Sequence, residues 1–173
     1  WLNASIADDV FNGTPASMTC VNVTVTASGD NVVDYVCPTV AMTHTWVGDL
    51  TIKLVSPANT VITLMSMPGV AEAADNGTSV TGDSSNLQLG FPITWKDSGP
   101  KSAELMGNTI ANAGVVCKDD LACVYDPNNG AAAAGKLSAF IGQGGPGTWK
   151  LCVGDSGVGD LGAIDQVKLL VGQ

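Results

Sequence analysis

The stretches Thr43-His44-Thr45-Trp46-Val47-Gly48-Asp49-Leu50-Thr51-Ile52-Lys53-Leu54 and Gly147-Thr148-Trp149-Lys150-Leu151-Cys152-Val153-Gly154-Asp155-Ser156-Gly157-Val158-Gly159-Asp160-Leu161-Gly162 echo one another. Each combines an aromatic run of alternating residues with a Gly-Asp-Leu turn. Alternation with a period of two is the mark of a half-buried strand, and the glycine lets the chain bend where the strand meets the turn. Leu50, Ile52 and Leu54 alternate with Thr51 and Lys53 until Ser56-Pro57-Ala58-Asn59 reverses the chain into Val61-Ile62-Thr63-Leu64-Met65, which predicts a hairpin.

The same pattern extends outward in both directions. Val21, Val23 and Val25 alternate with Asn22, Thr24 and Thr26, and Val36, Val40, Met42 and His44 share one face of the next run, so these two runs are expected to pair around Ser28-Gly29-Asp30-Asn31. Phe91, Ile93 and Trp95 give another strand, and residues 136–141, 148–153 and 164–171 supply the last ones. Residues 68–87 and 108–135 have no sustained period and read as long surface excursions, the second ending in Ala131-Ala132-Ala133-Ala134 with room for a short helical turn. About eight antiparallel strands with long loops predict an all-β, jelly-roll β-sandwich. One domain is expected over residues 1–173, with its core at about 21–171 and an N-terminal segment at 1–20.

Composition agrees with this class. Only 13% of the 173 residues are charged and 21 are glycine, a profile of short strands and tight turns. The formal charge of −9, from 16 acidic and 7 basic residues, disfavours nucleic acid and anionic membranes and favours cations. No membrane span or signal peptide is expected, and a chain that starts at Trp1 reads as an excised or processed piece. Five cysteines point to an oxidising, extracellular compartment, with one left over. Cys117 and Cys123 bracket a short polar loop and form one expected bridge; Cys20 and Cys37, on the two arms of the expected hairpin, form the other, leaving Cys152.

Several literal motif matches lack their context. Gly142, Gly144 and Gly147 spell a dinucleotide fingerprint, but a strand follows where a helix must begin. Asp155 could open an EF-hand, yet Gln166 stands where a bidentate Glu is required. Gly154-Asp155-Ser156-Gly157 looks like the nucleophile loop of a trypsin-type protease, with His44 available as a base; Val158 replaces the second glycine of that loop, and His44 lacks the Ala-Ala-His-Cys setting. His44 reads instead as an inward-facing strand residue that hydrogen-bonds a neighbouring turn. The turn aspartates have two readings, as acceptors for turn amides or as oxygen ligands of a hard cation.

Taken in order, His44-Thr45-Trp46-Val47-Gly48-Asp49-Leu50, Leu54-Val55-Ser56-Pro57 with Thr60, Trp95-Lys96-Asp97-Ser98, Leu137-Ser138-Ala139-Phe140-Ile141-Gly142, and the second echo through Gly162 resemble the P domain, or Homo B domain, of proprotein convertases. The resemblance runs from about Val21 to Val171, departing at residues 68–87, at the Cys117 to Cys123 insertion and at Trp95. It implies a jelly-roll sandwich with no active site, attached to a secreted subtilisin-like serine protease whose folding, stability and calcium dependence it assists. By position it implies Asp49, Asp97, Asp155 and Asp160 as calcium-binding turns; Asp75 and Asp83, in the divergent stretch, are further candidates. The implied partner is the subtilisin-like catalytic domain of the parent chain. Two other function classes are carried alongside: a module that targets an insoluble protein substrate such as collagen through an exposed Trp95 or Tyr125, and an independent serine protease using Ser156.

Overall fold

A computed structural model describes residues 1–70, 72, 82–128 and 135–173. Among the described residues, ten strands form two sheets. The strands are β1 (Ala4–Ser5), β2 (Thr19–Val25), β3 (Tyr35–His44), β4 (Leu50–Val55), β5 (Val61–Ser66), β6 (Ile93–Trp95), β7 (Lys101–Ser102), β8 (Val124–Asp126), β9 (Gly147–Asp155) and β10 (Gly162–Gly172). A six-stranded sheet has the order β1-β10-β3-β6-β8-β7, and a four-stranded sheet has the order β2-β9-β4-β5. All pairs are antiparallel except β6 with β8 and β7 with β8. The protein is therefore an all-β sandwich, as the strand periodicity predicts.

The inner faces meet in one core. Leu50, Ile52 and Leu54 of β4, Leu151 and Val153 of β9, Val40 and Met42 of β3 and Ile164 of β10 all belong to it. Trp149 is fully buried edge-on to Phe140 at a centroid distance of 5.0 Å, and its indole N–H donates to the Gly145 carbonyl at 2.9 Å. Each such side chain removed from water contributes about 2 kcal/mol, and the indole avoids the desolvation penalty by finding its acceptor.

β4 is buried on both faces. Part of the covering on its outer side comes from the first twenty residues. β1 pairs with β10, Ile6 and Phe11 are buried, and the Lys53 ammonium lies 5.6 Å from the centre of the Phe11 ring and donates to the Gly13 carbonyl. The outer side of β9 takes part as well: a Cβ on Gly154 would overlap the Phe11 ring, so only glycine admits this cover.

Three local expectations are corrected. β2 and β3 do not form a hairpin: β2 pairs with β9 and β3 with β10, in different sheets. The crossover places Cys20 opposite Cys152, with a Cα separation of 4.0 Å, and these two are joined; Cys37, on the other sheet, is the free cysteine. Cys117 is joined to Cys123. Residues 136–141 are not a strand, since Leu137–Phe140 form a 3-10 turn whose leading amides are held by Asp97. Residues 131–134, where a helical turn was expected, lie outside the described residues.

Candidate functional site

The two echoing turns lie against each other at one end of the sandwich. β4 and β9 are neighbours whose register sets Leu50 opposite Asp155 and Thr51 opposite Gly154. The entrance to β4 is a 3-10 turn, Val47–Asp49, fixed from above by backbone bonds from Val47 to the Ser85 carbonyl and from Gly48 to the Asp83 carbonyl, each 2.9 Å. Gly48 has no substitute here, because a Cβ would overlap the backbone of Gly82 and Asp83.

His44 and Asp155 form the buried centre of this end, 1% exposed each. The His44 Nε2–H donates to Asp155 Oδ2 at 3.1 Å, and the other carboxylate oxygen accepts the Gly157 amide at 2.9 Å. His44 Nδ1 faces the Trp46 backbone, 2.9 Å from its carbonyl and 3.2 Å from its amide, so it accepts from the amide in the neutral ring and donates to the carbonyl in the charged one. Both ring nitrogens are thus occupied. Ser156 is buried, its Oγ has no hydrogen bond among the described residues, and its amide donates to the Asp49 carbonyl at 3.0 Å. A serine nucleophile needs a base with a free nitrogen beside its oxygen and access to substrate. Ser156 has neither, which removes the trypsin-like reading of Gly154-Asp155-Ser156-Gly157.

Asp49 stands apart from its neighbours. Its side chain is 7% exposed, the Gly157 backbone presses on it so closely that a Cβ there would overlap the carboxyl group, and it accepts no hydrogen bond among the described residues. Burial, followed by the charges of Asp155, Asp160 and Asp8 and opposed by His44, pushes its pKa up to about 6. Asp160 accepts from the Thr45 hydroxyl at 2.7 Å, and Asp8 accepts from the Gly159 amide at 3.0 Å. Asp8 is a member that sequence reasoning missed, because nothing in Asp8-Asp9 signals that the N-terminal segment folds back onto the Gly159 turn.

The remaining candidates are dispersed. Asp97 spends both oxygens on the Leu137 and Ser138 amides, each at 2.7 Å. Asp83 accepts from the amide and the hydroxyl of Ser85. Asp75 lies outside the described residues. A second acidic pocket, also missed, joins Glu72 and Glu104: burial first, then the Glu72 charge, pushes the Glu104 pKa up to about 7, while Glu104 Oε1 accepts the Gly69 amide at 3.1 Å. Among the described residues, no group of three or more His, Cys, Asp or Glu is assembled to hold a metal ion. Asp97, Asp155, Asp160 and Asp83 each accept hydrogen bonds from turn amides, hydroxyls or the His44 ring.

Trp95 and Tyr125 are not exposed contacts. They sit side by side on β6 and β8 at 1% and 0% exposure, inside the core. Burial, together with Asp120 and Asp83, raises the Tyr125 hydroxyl well above its ordinary range. They were read as exposed because an alternating strand does not reveal which of its faces a crossover will cover.

Residues 21–87 match the family model of the proprotein convertase P-domain, a stretch that runs from within β2 to beyond β5 and includes the His44–Asp49 turn. In fold, the chain is similar to a serine protease of Aeromonas sobria, solved in complex with a chaperone (18% identity, TM-score 0.51) and on its own (18% identity, TM-score 0.50). Each likeness covers 98% of this chain but only 24% of the protease chain, so the module spans about a quarter of those proteins. No curated protein sequence matches the chain.

Proposed function

We infer that this chain is a non-catalytic accessory domain of a secreted subtilisin-like serine protease, acting on the folding or stability of a catalytic domain elsewhere in the parent protein. The observation that carries this reading is the P-domain match over residues 21–87. The buried Ser156 and the fully engaged His44 support it by removing the one nucleophile arrangement that the sequence suggested. Export is supported by the two disulfides, which persist in oxidising compartments. The substrate-targeting alternative loses the two contacts it rested on, since Trp95 and Tyr125 are interior.

Calcium enters this reading as a proposal supported by the charge of the chain and by the Asp49 carboxyl, which lies among the acidic neighbours Asp155, Asp160 and Asp8. Expression of the parent protease with and without residues 1–173 tests the accessory role. Loss of soluble, active protease on deletion, with no fluorophosphonate labelling of the isolated chain, is the expected outcome. Stoichiometric labelling that disappears in Ser156→Ala would instead make the chain an enzyme.

A further inference from the structure

The outer face of the six-stranded sheet carries a groove of about 460 Å³ between β3, β10 and the Leu137–Phe140 turn. Its wall is built from Tyr35 and Cys37 of β3, Leu170 of β10 and Ile141 beyond the turn, and Leu170 is the register partner of Cys37. Tyr35, Ile141 and Leu170 are each more than half exposed, at 51%, 54% and 51%. Asp97 holds the turn in place through its two amide bonds and so fixes the far side of the groove. The volume falls within the roughly 300–1,000 Å³ of clefts that take ligands, and contiguous exposed apolar side chains of this kind mark interaction surfaces.

The acidic excess of the molecule as a whole is absent from the groove. In a chain of net charge −9, Lys96 lies in the groove wall and Lys168, paired in register with Thr39, stands on the same outer face two residues before Leu170. Neither lysine has an ion-pair partner among the described residues, whereas Lys101, Lys118 and Lys136 are each paired with an aspartate. Lys96 is close enough to act on the Cys37 thiol, which burial otherwise pushes up. The one nearby acid in the wall, Asp97, already has both oxygens engaged.

We propose that this groove docks a protein segment that presents a bulky apolar side chain flanked by carboxylates, the apolar group lying against Tyr35, Cys37, Ile141 and Leu170 and the carboxylates meeting Lys96 and Lys168. The proposal stands on the groove and does not depend on the accessory-domain reading. Nucleic acid is disfavoured as an occupant by the overall acidity, and two isolated lysines match a pair of carboxylates better than a phosphate backbone.

Cys37 is the reporter, because the other four cysteines are joined in disulfides. Its reaction with Ellman's reagent at pH 8 is followed with acetyl-Glu-Leu-Phe-Glu-amide and with acetyl-Lys-Leu-Phe-Lys-amide. At a tenfold excess over its dissociation constant, the acidic peptide is expected to slow the reaction about tenfold by occupancy, and the basic peptide to leave it unchanged. In the Lys96→Glu, Lys168→Glu double variant the protection should pass to the basic peptide, each rate being compared with the same variant without peptide. Equal protection by both peptides, protection by neither, or protection that depends only on the concentration of the chain itself overturns the proposal, the last pointing to a second copy as occupant.

Discussion

Replacing Asp49 by Asn removes a charge that the fold holds at a cost. The residue is 7% exposed and its carboxyl group accepts no hydrogen bond among the described residues, so the amide loses no bond and occupies nearly the same volume. Its pKa rises from the ordinary 3.8 to about 6, which means that the folded state binds the proton more tightly than the unfolded chain does. The penalty is absent below the unfolded pKa, grows between about pH 4 and pH 6, and is complete above the folded pKa. Two pKa units at 1.36 kcal/mol each set it at about 3 kcal/mol at pH 7, falling below about 1 kcal/mol at pH 4. Screening by solvent at this end of the sandwich brings the expected figure down to about 2 kcal/mol or less. Urea unfolding followed by tryptophan fluorescence at pH 4, 5, 6, 7 and 8, in the presence of a chelator, reads the difference directly. Asp49→Asn should match the parent at pH 4 and exceed it at pH 7. A variant that is less stable at neutral pH, or a difference that does not change with pH, would falsify the electrostatic account. A repeat in millimolar calcium separates the two roles of the site: an ion held by Asp49 reverses the sign, stabilising the parent and leaving the variant behind.

Three further perturbations follow from the packing. Converting both Cys20 and Cys152 to Ser opens a loop with a sequence separation of 132, for which chain entropy gives about 5 kcal/mol and measured bridges more often 2–4; the midpoint of urea unfolding should fall accordingly, and an unchanged midpoint would sink the closure argument. Gly48→Ala forces a Cβ into the Gly82–Asp83 backbone, so a loss of about 1–3 kcal/mol in the same assay is expected, and a neutral substitution would show that the two segments are not in contact. Asp97→Ala strips the acceptors from the Leu137 and Ser138 amides and should cost about 1–3 kcal/mol, with the faster amide hydrogen exchange concentrated at residues 137–140; uniform exchange across the chain would argue against a capping role.

The strands were legible where one face is wet and the other dry. Val21, Val23 and Val25, Leu50 to Leu54 and Trp149 to Val153 alternate, and each lies in a strand of the sandwich. Residues 136–141 defeated this reading because Leu137 and Phe140, three apart, satisfy a single 3-10 turn as readily as a strand, and the deciding contact comes from Asp97, some forty residues earlier. Strand partners were less legible than strands. Proximity in sequence suggested β2 with β3, but in this sandwich the chain changes sheet between them, and with that change the partner of Cys20 moved from Cys37 to Cys152. At the site, the sequence identified Asp49, Asp155 and Asp160 as turn residues of note and His44 as an inward-facing strand residue. What it could not supply was Asp8, brought in by a distant segment, or the hydrogen bonds that engage the Asp155 and Asp97 carboxylates and, among the described residues, leave the Asp49 carboxyl without one.

The bond between Cys20 and Cys152 also determines how the molecule tolerates a cut. It encloses β2 to β9 in one covalent ring, so that cleavage of any single loop between these cysteines yields two fragments that cannot diffuse apart. A domain closed in this way therefore survives a single nick as one covalent unit, and the nick becomes visible only when reductant lets the two pieces run separately.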